Sequence, residues 1–260
     1  MGKTPKRILK IVAVVLVLLI AVPVVALVLT MSRLGSVQDG AVLEGATRVV
    51  KDGYVSLYVL DVGPGKVALV DAGVDAEGKA LLAELSRRGL TADAVEAIFI
   101  THGHTDHVAA AARFPKARVY ALAADVPLAE GRGKSLGPLT RLLPQRDTGA
   151  RVTHPLADGD VIPVGDTTVR VFAIPGHTPG SAAYLARGVL FLGDSADAGK
   201  KGQVVQAAYI FSDDMEQNRA SLQQLASRLE PFASEVRVLA FSHSGTLTGL
   251  EPLRAFAREP

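Results

Sequence analysis

Three imidazoles and a carboxylate fall within six positions of the stretch Thr101-His102-Gly103-His104-Thr105-Asp106-His107, directly after the apolar run Val95 to Ile100. The chain has only six His. Five lie in Gly- or Ser-flanked loops behind predicted strands: these three, then His177 in Pro175-Gly176-His177-Thr178-Pro179-Gly180-Ser181, then His243 in Ser242-His243-Ser244. Asp194 stands in the same kind of place, in Leu192-Gly193-Asp194. One His after a strand is ordinarily a hydrogen-bonded surface or core residue, but five so placed point to a metal site. With no Cys in 260 residues, thiolate ligands and disulfides are excluded. Imidazole and carboxylate donors suit Zn²⁺, with iron or manganese as the other candidates. Spacing at i, i+2 and i+5 in a non-helical turn can aim side chains at one or two ions; the helical i, i+4 His pair of Glu-containing metalloproteases is absent. The sixth His, His154, precedes Pro155 in a loop and is not read as a ligand.

The elements that must position these residues alternate between strand and helix. Val49-Val50, the turn Asp52-Gly53 and Val55 to Val62 read as a hairpin, and Gly63-Pro64-Gly65 turns into a strand over Val67 to Val70 that ends at Asp71. Asp75 reads as the N-cap of a helix bearing Leu81, Leu82 and Leu85 and closed by Gly89. Val95 to Ile100 is unbroken and apolar, as a strand buried on both faces would be. The second half echoes the first. Strands are expected at Val161 to Val164, Thr167 to Ile174, Ala182 to Leu185 and Val189 to Leu192. A long helix with Asp213 and Glu216 in capping-box spacing and Leu222, Leu225 and Leu229 on one side follows, and then a last strand, Val236 to Ala240. Such an order predicts an α/β layered domain whose sheet edges deliver short polar loops to one rim.

Five of the 28 Lys and Arg lie at or before Arg33 and none of the 26 Asp and Glu does, so the body beyond Arg33 is net −3 and offers no broad footprint for nucleic acid. Ile11 to Met31 is uncharged and apolar apart from Pro23 and Thr30, and as a helix it would be about 31 Å long. A cleaved signal usually has a shorter apolar core and a small-x-small site, which Thr30-Met31-Ser32-Arg33 does not offer, so an uncleaved transmembrane anchor is expected. Lys3, Lys6, Arg7 and Lys10 before the run, against Arg33 after it, place the N-terminus in the cytoplasm and the body outside it; cleavage would make the body secreted. The expected organisation is a basic tail over 1–10, a membrane helix over 11–31, a linker over 32–44 and one domain over 45–260.

The stretch His-x-His-x-Asp-His, followed in order by Gly-His-Thr-Pro-Gly-Ser, Gly-Asp and Ser-His, resembles the metallo-β-lactamase superfamily of metallo-hydrolases, over roughly residues 45 to 250. The resemblance implies a four-layer αβ/βα sandwich with a dinuclear site at the rim between two sheets, carrying two zinc ions per chain, with iron or manganese possible. It implies that His102, His104 and His177 hold the first metal, that Asp106, His107 and His243 hold the second, and that Asp194 bridges them. Asp71 matches the family's first motif, where the carboxylate buttresses the metal loops without being a ligand; a simple strand-end cap is the other reading. The implied reaction is hydrolysis of an ester, thioester, lactone or phosphodiester by a metal-bridging hydroxide, with Asp106 orienting or deprotonating the water. Substrate recognition is expected from Ala196 to Phe211, through Lys200, Lys201, Tyr209 and Phe211, with a solvated loop as the plainer alternative. Because the chain has Asp194 and no Cys, it resembles glyoxalase II and lactonases more than the β-lactamases. The alternatives are an iron-dependent oxidoreductase resembling persulfide dioxygenases, a β-lactamase, and a metal-binding module without catalysis.

Overall fold

The computed structural model describes residues 4–259 other than Pro144; within the first helix the side chains at 4–6, 20, 23, 26–27 and 29–31 lie outside the description. The chain forms two compact units, 1–34 and 35–260. The first is the helix α1 (Thr4–Ser32), whose described side chains, Ile8, Leu9 and Val14 to Leu19 among them, are exposed apart from the half-buried Ala21. Among the described residues no helix is long and apolar enough to cross a membrane. The expected span over Ile11 to Met31 thus has no support among the described residues, and the side chains at 20, 23, 26–27 and 29–31 of that run lie outside them.

In the second unit the expected hairpin forms from β1 (Arg48–Asp52) and β2 (Val55–Gly63), with Gly53 at φ 61° in its turn. Next come β3 (Lys66–Val70), α2 (Lys79–Arg87), β4 (Val95–Phe99), α3 (Thr105–Val108), β5 (Arg118–Leu122), α4 (Val126–Ala129) and β6 (His154–Leu156). The six strands make one sheet in the order β1-β2-β3-β4-β5-β6, antiparallel up to β3 and parallel from there. The second half supplies β7 (Val161–Val164), β8 (Thr167–Ala173), β9 (Ala182–Ala186), β10 (Val189–Phe191), the small pair β11 (Ala196–Ala198) and β12 (Val204–Gln206), α5 (Met215–Arg228), β13 (Val238–Ala240), β14 (Thr246–Thr248) and α6 (Glu251–Arg258). Its sheet runs β14-β13-β10-β9-β8-β7, with β10 and β13 parallel.

Alternation along the strands sorts the apolar side chains into three layers. Leu57 and Val59 of β2, with Leu69 and Ile98, pack against Leu81 and Leu85 of α2. Tyr58 and Leu60, one position over, join Phe99 and Tyr120 and meet Val169, Val171, Tyr184 and Phe191 of the other sheet. On the far side Phe172, Leu185 and Leu190 pack against Leu222 and Leu225 of α5 and Leu253 and Phe256 of α6. Both sheets are thus covered on both faces, which gives the helix–sheet–sheet–helix order. Truncating a fully buried core residue such as Leu57 or Leu225 to Ala costs about 2–5 kcal/mol.

Several local expectations are corrected. The N-cap of α2 is Gly78, at φ 63°, and Asp75 instead accepts the Glu77 N–H (3.0 Å) in the turn before it. The cap of α5 is Asp214, whose side chain accepts the Gln217 N–H (2.8 Å), one position beyond Asp213. The last predicted strand is split off from Val236, and β5, β6, β14, α4 and α6 have no counterpart in the sequence reading. β6 carries Pro155 and survives as an edge strand because it pairs on one side only.

Candidate metal centre

The parallel pairs β3/β4 and β10/β13 point their carboxyl ends to one rim, where loops of an α/β sheet form crevices. At the end of β3, Asp71 is buried and sits at φ 63°, a left-handed conformation that Asp tolerates better than most side chains. Its carboxylate accepts the Thr101 N–H (2.7 Å), the Thr101 hydroxyl (2.8 Å) and His107 Nδ1–H (2.8 Å). The His-rich stretch is not wholly non-helical: His104 is the N-cap of the one-turn helix α3, so Asp106 and His107 project from a helical turn while His104 comes from extended backbone. His177 lies between β8 and β9. Gly176, at φ 130°, lets this loop touch the start of α5, since a Cβ there would fall 2.2 Å from the Asn218 nitrogen. Gly193, at φ 55°, does the same before Asp194: its Cβ would lie 2.6 Å from Thr101 Oγ1. His243 follows β13, and the neighbouring Ser242 N–H donates to the Gly193 carbonyl (3.3 Å).

These loops bring seven side chains together in three overlapping groups whose potential ligand atoms lie within 4.8 Å of one another: His102, His104 and His177; His102, His107 and Asp194; Asp106, His107 and His243. Each imidazole is tied at one nitrogen and turned inward at the other. His102 Nδ1 meets Thr101 Oγ1 (3.1 Å), His104 Nε2 meets Ser135 Oγ (3.2 Å), His107 Nδ1 meets Asp71, His177 Nδ1 meets Ser212 Oγ (3.0 Å), and His243 Nδ1 meets the Tyr54 carbonyl (3.3 Å). Remote bonds of this kind set ring orientation and basicity in metal sites. Asp194 stands in the middle: its Oδ2 lies 2.9 Å from His243 Nε2 and 3.7 Å from His177 Nε2, and its Oδ1 lies 3.4 Å from His107 Nε2. Asp106 Oδ2 is 3.8 Å from both His107 Nε2 and His243 Nε2.

The inward atoms His102 Nε2, His107 Nε2 and Asp194 Oδ1 are buried and have no hydrogen-bond partner among the described residues. Buried polar atoms are nearly always satisfied, and neutral imidazole nitrogens facing carboxylates are what a divalent cation satisfies. The donor set therefore fits zinc. Burial, with the neighbouring imidazoles, drives His102 and His177 well below the usual imidazole range, and burial lowers His104. Burial opposes charge on His107 as well, but the carboxylates of Asp194, Asp71 and Asp106 outweigh it and hold that ring well above the range. For His243 burial is likewise outweighed, chiefly by Asp194, and its pKa is pushed up to about 9. Asp194 is only slightly exposed and burial opposes its charge, yet the imidazoles of His243, His107 and His102 keep it well below the ordinary carboxylate range.

Asp125 is a site residue that sequence reading passes over. Buried after β5, it accepts the Gly103 N–H (2.7 Å) and the Thr178 hydroxyl (2.7 Å) on Oδ2 and the Gly180 N–H (2.7 Å) on Oδ1, so it fastens the first His loop to the His177 loop. Its position, a carboxylate just behind a strand like Asp71, was the available signal. Tyr54 is a second: half in solvent beside the centre, its ring stacks on His243 (5.6 Å), and burial together with Asp106 raises its phenol to about 12. Of the four expected substrate contacts, Tyr209 and Phe211 lie in the turn before Ser212, the hydroxyl that holds His177. Lys200 and Lys201 lie exposed in the turn between β11 and β12, where the Lys201 N–H donates to Gln203 Oε1 (3.1 Å). His154 is exposed on β6, bonded through Nδ1 to Thr153 Oγ1 (2.9 Å).

A family model described as the metallo-beta-lactamase superfamily matches residues 50–243. A hydroxyacylglutathione hydrolase of Vibrio cholerae serotype O1 is 32% identical over 164 residues, covering 62% of this chain and 52% of that protein. One from Serratia proteamaculans is 28% identical over 209 residues, covering 79% of this chain and 67% of its own length. The chain thus spans roughly half to two thirds of the length of these curated relatives. Among solved structures, a metallo-beta-lactamase family protein from Thermus thermophilus superposes with a TM-score of 0.58 at 27% identity, covering 84% of this chain and 79% of the other.

Proposed function

The chain belongs to the metallo-beta-lactamase superfamily, and from that premise we propose that it is a dinuclear, zinc-dependent hydrolase of a small acyl thioester or ester. The observation that carries the reading is the place of Asp194, between the trio His102, His104 and His177 and the trio Asp106, His107 and His243. In this reading His102, His104 and His177 would hold one ion and Asp106, His107 and His243 the other, with Asp194 within reach of both groups. Zinc bound there would supply an acidified water and Lewis-acid polarisation of a carbonyl, so no Ser or Cys nucleophile would be required.

The chain's own groups do the rest. Asp106, whose side chain is partly open to solvent, orients the attacking water through Oδ2 and takes its proton. Asp71 holds His107 in one tautomer and fixes Thr101 at the root of the loop, and Asp125 sets the separation of the two His loops. The reaction adds water across the acyl–sulfur bond and gives a carboxylic acid and a thiol. Thioester is favoured because curated relatives are named hydroxyacylglutathione hydrolases, and the bridging position of Asp194 weighs against β-lactam hydrolysis.

Metal analysis of the purified protein, with a panel of acyl thioesters, esters, lactones and phosphodiesters, tests the reading. About two zinc ions per chain and thioester turnover are expected; one iron with oxygen consumption on a persulfide would replace it by the dioxygenase alternative, and metal without turnover by the binding module. We propose further that α1 anchors the protein in a membrane with its N-terminus cytoplasmic, a reading supported by the uncharged length of Ile11 to Met31 and the four basic residues ahead of it. Release of the full chain by carbonate washing would refute it.

A further inference from the structure

We propose that residues 131–143, with Gln145 and Arg146, form a docking surface for an anionic lipid bilayer on the second unit, a role that does not depend on the hydrolase reading. Between Glu130 and Asp147 the chain has no acidic residue but carries Arg132, Lys134, Arg141 and Arg146, interleaved with Leu136, Leu139, Leu142 and Leu143. The leucines are turned outward, at 66%, 37%, 73% and 57% exposure. Arg132 is paired with Glu130 (2.6 Å), whereas Lys134, Arg141 and Arg146 are exposed and make no ion pair among the described residues.

This display is built. Asp213, freed from the capping role the sequence suggested, accepts the Ser135 hydroxyl (2.8 Å) and the N–H groups of Leu136 (2.7 Å) and Gly137 (2.8 Å) on one oxygen. Gln145 Nε2 donates to the carbonyls of Gly103 (2.7 Å) and Leu128 (3.0 Å), and the Leu139 N–H donates to the Ile210 carbonyl (2.8 Å). That last bond ties in the turn bearing Tyr209, 66% exposed, an aromatic with a polar tip of the kind that settles at headgroup level.

Exposed leucines between free cations match a surface that is anionic at its face and apolar just beneath it. A second copy fits worse, because a two-fold contact would set three like charges against themselves. Single-stranded nucleic acid fits worse too, because it wants aromatic platforms where this segment presents aliphatic ones.

The chain contains no Trp, so Leu142→Trp places a single reporter in this segment and leaves α1 silent. The full-length variant is reconstituted in vesicles of phosphatidylcholine, with or without phosphatidylglycerol, with brominated acyl chains as quenchers. Expected are a blue shift and bromine quenching in the anionic vesicles, and a loss on the order of 100-fold in loop partitioning when Lys134→Gln, Arg141→Gln and Arg146→Gln are combined. Emission that stays solvent-like in both lipids overturns the proposal. So does a shift that follows protein concentration and ignores lipid composition, the mark of a second copy. Unchanged circular dichroism of both variants shows that the readout is not unfolding.

Discussion

Around His102, His104 and His177 the outer partners are hydroxyls, those of Thr101, Ser135 and Ser212, whereas His107 and His243 sit among the carboxylates of Asp71, Asp106 and Asp194. Burial alone would discharge every ring. It does so in the first trio, and in the second the carboxylates reverse it. One half of the centre is therefore ready to receive a cation as it stands, and the other must first give up protons. The same residue type has been given two chemical characters by its neighbours.

Removing the group that both halves share tests this contrast most severely. Asp194→Ala should reduce metal content to one ion per chain or fewer and lower turnover by about a thousandfold or more, read by metal analysis and initial rates. Asp71→Asn keeps the shape and removes the charge that holds His107. Affinity at the second trio should fall by about 10- to 100-fold while the first trio keeps its ion, as a two-step metal titration would show.

The pH dependence should separate the halves next. The raised pKa of His243 means that its proton is bound below about 9 and must leave when metal enters. Affinity at the second trio should therefore climb about tenfold per pH unit for each proton displaced, with the contribution of His243 levelling off above about 9 and protons released to buffer. The first trio is already neutral above the ordinary imidazole pKa, so its affinity should stay flat over the same range; calorimetry in buffers of different ionisation heat reads both. The smallest effect is expected from Ser212→Ala, which removes a neutral partner of His177: a loss of about tenfold or less in affinity at the first site, with the second site unchanged.

Much of this was legible in the sequence because strand periodicity and loop chemistry act locally. The seven residues that meet at the rim each follow an apolar run, so their types and order could be read without knowing how the sheets stack. Asp125 escaped because its partners, Gly103, Thr178 and Gly180, come from loops that only the packing of two sheets brings together. Asp213 was misread for a related reason: two adjacent Asp offer the same capping chemistry, and the helix takes Asp214 because Asp213 is engaged by Ser135 to Gly137, more than 70 residues upstream. β6, at three residues, is too short for alternation to stand out and is further hidden by Pro155.

The Asp125 clamp also bears on how the centre breathes. Its three charge-assisted bonds join segments that arrive from opposite sheets, so the loops cannot swing apart without stripping a buried carboxylate of every partner. The amides of Gly103 and Gly180 should then exchange with solvent only when the whole unit unfolds. The spacing of the two His loops is thereby set by the packing of the sheets before any guest arrives.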